Sequence, residues 1–324
     1  MIVPKYWAEE RIQHRQSGKQ ITIRRFGWSD ISLEEAQAHA RQRVDEAFQS
    51  WLSGDKDVSR RELKAAYNGA EGVPIREEII SEHSDTIITR NSYGALCLNT
   101  PNVFFADIDM NLTTYSCLLG YLAMIAVLAA AKPLFGLVGP YAIVLFLLSP
   151  LCMMIPTLIH KCSCWIAGGP EPLARSRIRR FAERHPDWSL RIYQTPAGLR
   201  VMATHRLIAP DEEEVQQAFK TMKADRLYVL MCRNQRCFRA RLTAKPWRIG
   251  ITSHMRPRPG IWPVQAERLP IRQAWIREYE HAAKSFAACQ FIESIGSGTV
   301  HPDVQPVIDL HDHLSAALSG RPIA

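Results

Sequence analysis

Charged and apolar positions divide this chain very unevenly. From Met110 to Ala131 no charged residue occurs for 22 positions, and from Pro133 to Ile159 none for another 27. Lys132 alone separates the two runs. A helix crosses the roughly 30 Å hydrocarbon layer of a bilayer with about 20 apolar residues. The pattern therefore predicts two membrane-spanning helices, near 112–131 and 137–158, forming a hairpin over 112–159. The link Lys132-Pro133-Leu134-Phe135-Gly136 is too short for anything but antiparallel neighbours.

Elsewhere the periods are those of a mixed α+β protein. Gln20–Phe26 alternates like a strand. Ser32 and Glu35 make a capping box. Behind it Ala40, Val44, Ala47, Phe48 and Trp51 form one apolar stripe, a helix to about Leu52. Thr86–Asn91 and Ala95–Asn99 read as a hairpin around Ser92-Tyr93-Gly94, and Phe104–Asp109 as a further strand. After the apolar runs come a helix over Glu171–Arg184 and strands at Trp188–Gln194 and Leu199–His205. A helix from Asp211 and a strand at Cys237–Thr243 follow. From Phe104 onward the order is strand, helix, strand, strand, helix, strand. That predicts a ferredoxin-like βαββαβ sheet domain interrupted by the two-helix transmembrane hairpin. The implied divisions are an amino-terminal α/β region (1–101), the first strand (102–111), the hairpin (112–159), the rest of the sheet domain (160–254) and a carboxyl-terminal helical extension (255–324).

Charge sharpens this picture. Residues 1–112 carry 14 Lys and Arg against 17 Asp and Glu, whereas residues 160–324 carry 25 against 15. Lys161, Arg175, Arg177, Arg179 and Arg180 follow the second run closely. The positive-inside bias then places both termini in the cytoplasm of a multi-pass inner-membrane protein. The expected partners are the lipid bilayer and its anionic headgroups, or the phosphates of a nucleotide or nucleic acid. With no Asp, Glu, Lys, Arg or His but Lys132 in the hairpin, a transport path would require a homo-oligomer of several copies. The 8 cysteines match no strong zinc signature. Cys162 and Cys164 near His160, the pair Cys232 and Cys237, and the group Asp309, His311, Asp312 and His313 are minor candidate metal ligands.

The chemistry gathers on one face of the expected sheet. Side chains alternate across a strand, so Asp107 and Asp109 share a face opposite Ala106 and Ile108. The same alternation sets Arg200, Arg239 and Arg241 opposite their apolar neighbours, with Lys245 and Arg248 just beyond. Two carboxylates at this spacing suit a hard cation such as Mg²⁺. Arginine and lysine suit phosphate. Asp107 and Asp109 are thus the candidate metal ligands and catalytic residues, and Arg200, Arg239, Arg241, Lys245 and Arg248 the candidate phosphate clamps.

Phe104-Phe105-Ala106-Asp107-Ile108-Asp109 resembles the DxD strand of the archaeo-eukaryotic primase-type fold, and the strand pair around Thr195–Arg200 is similar in layout. The resemblance covers roughly 102–252 without the hairpin. It implies that Asp107 and Asp109 hold catalytic divalent metals. Arg200 stands where that family carries a histidine, and no aspartate in Cys237–Thr243 matches its third motif. The whole chain, with Tyr67-Asn68-Gly69-Ala70-Glu71-Gly72 and Cys237-Phe238-Arg239-Ala240-Arg241, also resembles an uncharacterised family of bacterial membrane-anchored proteins, which implies no activity. Two expectations follow: a membrane-tethered interaction or scaffold protein with a basic cytoplasmic domain, or a Mg²⁺-dependent phosphoryl- or nucleotidyl-transfer enzyme using Asp107 and Asp109. No Walker A loop or dinucleotide glycine fingerprint is present.

Overall fold

The computed structural model describes residues 3–16, 19–55, 58–59, 73–110, 161–258 and 260–324. They form a mixed α+β body with three antiparallel sheets. A two-stranded sheet joins β1 (Tyr6–Gln16) to β2 (Lys19–Ser29), and α1 (Leu33–Leu52) packs on it. Ser32 caps α1 as expected, its hydroxyl accepting from the Glu35 amide. Ile21, Ile23 and Val44 form the small core between them.

A four-stranded sheet holds β3 (Glu78–His83), β4 (Thr86–Arg90), β5 (Leu96–Thr100) and β9 (Phe238–Arg241) in that order. The β4–β5 turn is built by Asn91, whose side-chain oxygen accepts from the amides of Tyr93 and Ala95. Gly94 closes it with φ of +100°, and a Cβ there would run into the Trp275 ring.

The second four-stranded sheet runs β10 (Gln290–Gly296), β7 (Ser189–Gln194), β8 (Gly198–Ala203), β6 (Phe105–Asp109). Helices α2 (Pro170–Arg184) and α3 (Glu213–Met222) contact each other and bury their apolar stripes in the shared core. Phe104 centres this core, its ring 5.3–5.6 Å from those of Trp188, Phe219 and Phe238. The remaining helices are α4 (Arg226–Gln235), α5 (Leu269–Ala283) and α6 (Gln305–Leu314).

This architecture corrects the expected fold in two respects. First, the ferredoxin-like order holds only as far as β6, α2, β7, β8 and α3. The strand at Phe238–Arg241 pairs with β5 of the other sheet, and β10 takes the fourth place beside β7. Second, no helix among the described residues is long and apolar enough to cross a membrane. The 20-residue α1 has the length but carries Glu34, Glu35, Arg41, Arg43, Asp45 and Glu46. The reading of a multi-pass inner-membrane protein, and of a membrane-tethered scaffold, is corrected accordingly to an α+β body. The expected transmembrane hairpin over 112–159 lies outside the described residues.

Candidate functional site

Strand β6 sets the site. Asp107 lies directly opposite Arg200 in the β6–β8 register, and Asp109 lies opposite Gly198. Glycine is required there because a Cβ would collide with the Ile108 carbonyl. Arg200 Nε donates to Asp107 Oδ1 at 2.9 Å, and Nη2 reaches Oδ2 at 3.4 Å. Burial works against the Arg200 charge, but the Asp107 carboxylate, together with Cys289 and Tyr228, outweighs it and holds the guanidinium above its ordinary value. Its Nη1 donates to the Arg241 carbonyl at 2.9 Å, which ties β8 to the end of β9.

The expected polar face is therefore not an open surface. Helix α6 covers it: His311 packs on the Phe105 and Tyr193 rings, and Asp312 binds Arg191 at 2.6 Å. The Arg200 side chain is only 2 % exposed, against 28 % for Asp107.

Asp109 has a different setting. Partial burial and the neighbouring carboxylates of Asp225 and Asp107 push its carboxyl up, while Lys245 and Arg248 pull it down. Asp225 reaches this position by capping α4, accepting from the Tyr228 amide at 2.7 Å, while its own amide donates to the Asp107 carbonyl at 3.0 Å. Sequence reasoning missed Asp225. Its signal was the N-cap pattern of an aspartate before Arg226–Gln235.

Lys245 and Arg248 stand on the loop after β9, where Pro246–Arg248 form one 3₁₀ turn. Tyr279 of α5 pins this loop, its hydroxyl 2.7 Å from both Thr243 Oγ1 and the Ala244 carbonyl. The Trp247 ring leans on Tyr93 edge-on and stays 57 % exposed, with Lys245 Nζ 5.4 Å from its centre. Burial and the nearby Arg241 and Arg248 lower the Lys245 amine; burial and Arg241 likewise lower Arg248. Neither Lys245 nor Arg248 makes an ion pair among the described residues, and Arg248 Nη1 is buried without a hydrogen-bond partner.

The candidate residues thus separate. Asp107, Asp109, Arg241, Lys245 and Arg248 share one electrostatic neighbourhood. Arg241 spends one guanidinium nitrogen on the Thr243 carbonyl at 2.7 Å. Arg200 is there too, locked to Asp107. Arg239 is elsewhere: its Nη2 meets both Glu77 oxygens at 2.7 Å, inside the other sheet.

The metal candidates fare differently. Both Asp107 oxygens face Arg200, so they are poor ligands for Mg²⁺. No cluster of three or more His, Cys, Asp or Glu side chains among the described residues is arranged to hold a metal ion. Cys232 and Cys237 are buried, and burial pushes both thiols up, Cys237 to about 12. In the 309–313 group, His311 and Asp312 turn inward while Asp309 and His313 stay at the surface. His160 lies outside the described residues.

Comparison with known proteins finds no matching family model, curated protein or solved structure.

Proposed function

We propose that this α+β body is a binding module for a phosphate-bearing ligand, a nucleotide or a nucleic-acid strand. The ligand's phosphate would sit between Lys245 and Arg248, with Arg241 behind them. One observation carries the reading: two half-buried cations, on a loop held by Tyr279, make no ion pair among the described residues, and Arg248 Nη1 is buried without a hydrogen-bond partner. Desolvating a cation is costly unless a partner arrives, and phosphate supplies charge and acceptors together. Trp247 supports a ligand that carries a base, since an exposed indole beside cations is a stacking platform. The basic balance of residues 160–324, 25 Lys and Arg against 15 Asp and Glu, steers polyanions towards it. Asp107 and Asp109 are not needed as metal ligands in this reading. Asp107 orders Arg200, and Asp109 tempers the cationic cluster.

Titration calorimetry with ATP, inorganic phosphate and a short single-stranded DNA, each in EDTA, tests it. The expected order is ATP or DNA well above inorganic phosphate. Replacing both Lys245 and Arg248 by alanine should weaken binding at least about tenfold, and should lower the salt slope of DNA binding by about one per lost phosphate contact. Arg179→Ala, an exposed cation already paired with Glu293, should leave affinity unchanged. Affinity that survives the double substitution, or no binding by any of the three ligands, refutes the reading.

A further inference from the structure

A second constellation lies under α6, apart from the proposed phosphate site. Cys289 immediately precedes β10, and its sulfur lies 3.9 Å from His311 Nε2. His311 Nδ1 lies 2.9 Å from Asp312 Oδ1, and the other Asp312 oxygen accepts from Arg191 Nη2 at 2.6 Å. Ser315 Oγ is 3.5 Å from the same sulfur, and Arg200 Nη1 is 3.4 Å from His311 Nε2. A thiol, an imidazole and an orienting carboxylate thus stand in line, the order that activates a nucleophilic cysteine.

The other buried cysteines offer a contrast inside the same molecule. Cys97, Cys232 and Cys237 are as deeply buried, and burial raises all three thiols. At Cys289 burial acts the same way, but His311, Arg200 and Ser315 reverse it and the thiol is lowered. The groups facing His311 are Cys289 just before β10, Arg200 from β8, the Tyr193 ring from β7 and its own neighbour Asp312; burial and Arg200 oppose its charge, Cys289 and Asp312 favour it, and the net shift is upward.

We propose that Cys289 is a peroxide-reactive cysteine, with His311 as its proton donor and Asp312 as the residue that orients His311. Cys289 is 0 % exposed, which restricts the reagent to a small uncharged molecule such as hydrogen peroxide. In the reaction the Cys289 thiolate attacks one peroxide oxygen. An S–O bond forms and the O–O bond breaks. The leaving hydroxide takes the proton of the His311 imidazolium and departs as water. Sulfur is oxidised to the sulfenic acid, the peroxide is reduced, and His311 is left neutral.

The folded full chain is exposed to hydrogen peroxide for a set time, quenched with catalase and unfolded in urea containing dimedone, and the adducts at each cysteine are quantified by peptide mass spectrometry. Cys289 should label at least about tenfold faster than Cys97, Cys232 and Cys237, because among the four only its thiolate has an imidazole beside it. His311→Gln should bring Cys289 down to the rate of those three. Equal labelling of the four buried thiols in the native protein overturns the proposal without any variant. So does fast Cys289 labelling that persists in a folded His311→Gln protein.

Discussion

Two buried arginines on adjoining sheets solve the same problem in different ways. Arg239 meets both oxygens of Glu77 and also reaches Asn99 at 3.1 Å. Glu77 in turn accepts from Thr89 at 2.6 Å, which accepts from Asn99 at 3.0 Å. That cluster is closed, and each polar group in it is matched by another. Arg200 also holds a carboxylate, but Asp107 sits at a border beside Asp109, Asp225, Lys245 and Arg248. There Asp109, Lys245 and Arg248 are neighbours without being paired. A closed network belongs to the fold. A border of half-buried, unmatched charge is an unfavourable arrangement that a ligand would relieve.

That contrast can be broken by substitution. The largest effect should come from Glu77→Gln, which strands the Arg239 charge in the interior and should cost about 3–5 kcal/mol in urea unfolding. A loss under about 1 kcal/mol would mean that Arg239 finds water and that the network is not closed. Asp107→Asn should cost less, roughly 1–3 kcal/mol, because one end of its pair reaches solvent. A loss equal to that of Glu77→Gln would erase the distinction. Asp109→Asn should go the other way. Its carboxyl is raised in the folded chain, so its ionisation opposes folding above the ordinary carboxylate range. Removing that charge should stabilise by a few tenths of a kcal/mol near neutrality, after solvent screening. The gain should fade as the pH falls towards the ordinary carboxylate value of about 4 and be gone below it. Arg206→Ala should do least. Its partners Glu212 and Glu214 are at the surface, and such pairs are worth under about 0.5 kcal/mol.

Much of the local structure was legible in the sequence. The α1 stripe and its Ser32 cap, the hairpin through Asn91–Gly94 and the strands flanking Thr195–Gly198 follow from periodicity and turn chemistry. So does the Asp107–Arg200 face, since alternation places both residues. Strand β1 was not legible. Its outward positions Glu9, Arg11, Gln13 and Arg15 are polar, and its inward ones include Glu10 and His14, so no apolar alternation marks it.

Partner choice was the deeper obstacle. A strand's pattern says which face is buried but not which edge it will meet. β9 joins β5, with Arg239 committed to a glutamate 162 positions earlier. The roof over the polar face was hidden for a similar reason. His311 and Asp312 look like surface groups of an end helix until Arg191, Arg200 and Cys289 are brought beneath them.

The placement of β10 carries a consequence for assembly of the chain. This strand pairs with β7 roughly a hundred positions earlier, Gln290 against Gln194 and Gly296 against Ser189. Such distant pairing is slow, because the intervening loop must be ordered before any contact rewards it. On the ribosome, β6, β7 and β8 emerge with the β7 edge bare and Arg200 uncovered. A nascent polypeptide halted before residue 290 should therefore be sticky and prone to recruit chaperones, and release of the last few dozen residues should end that exposure.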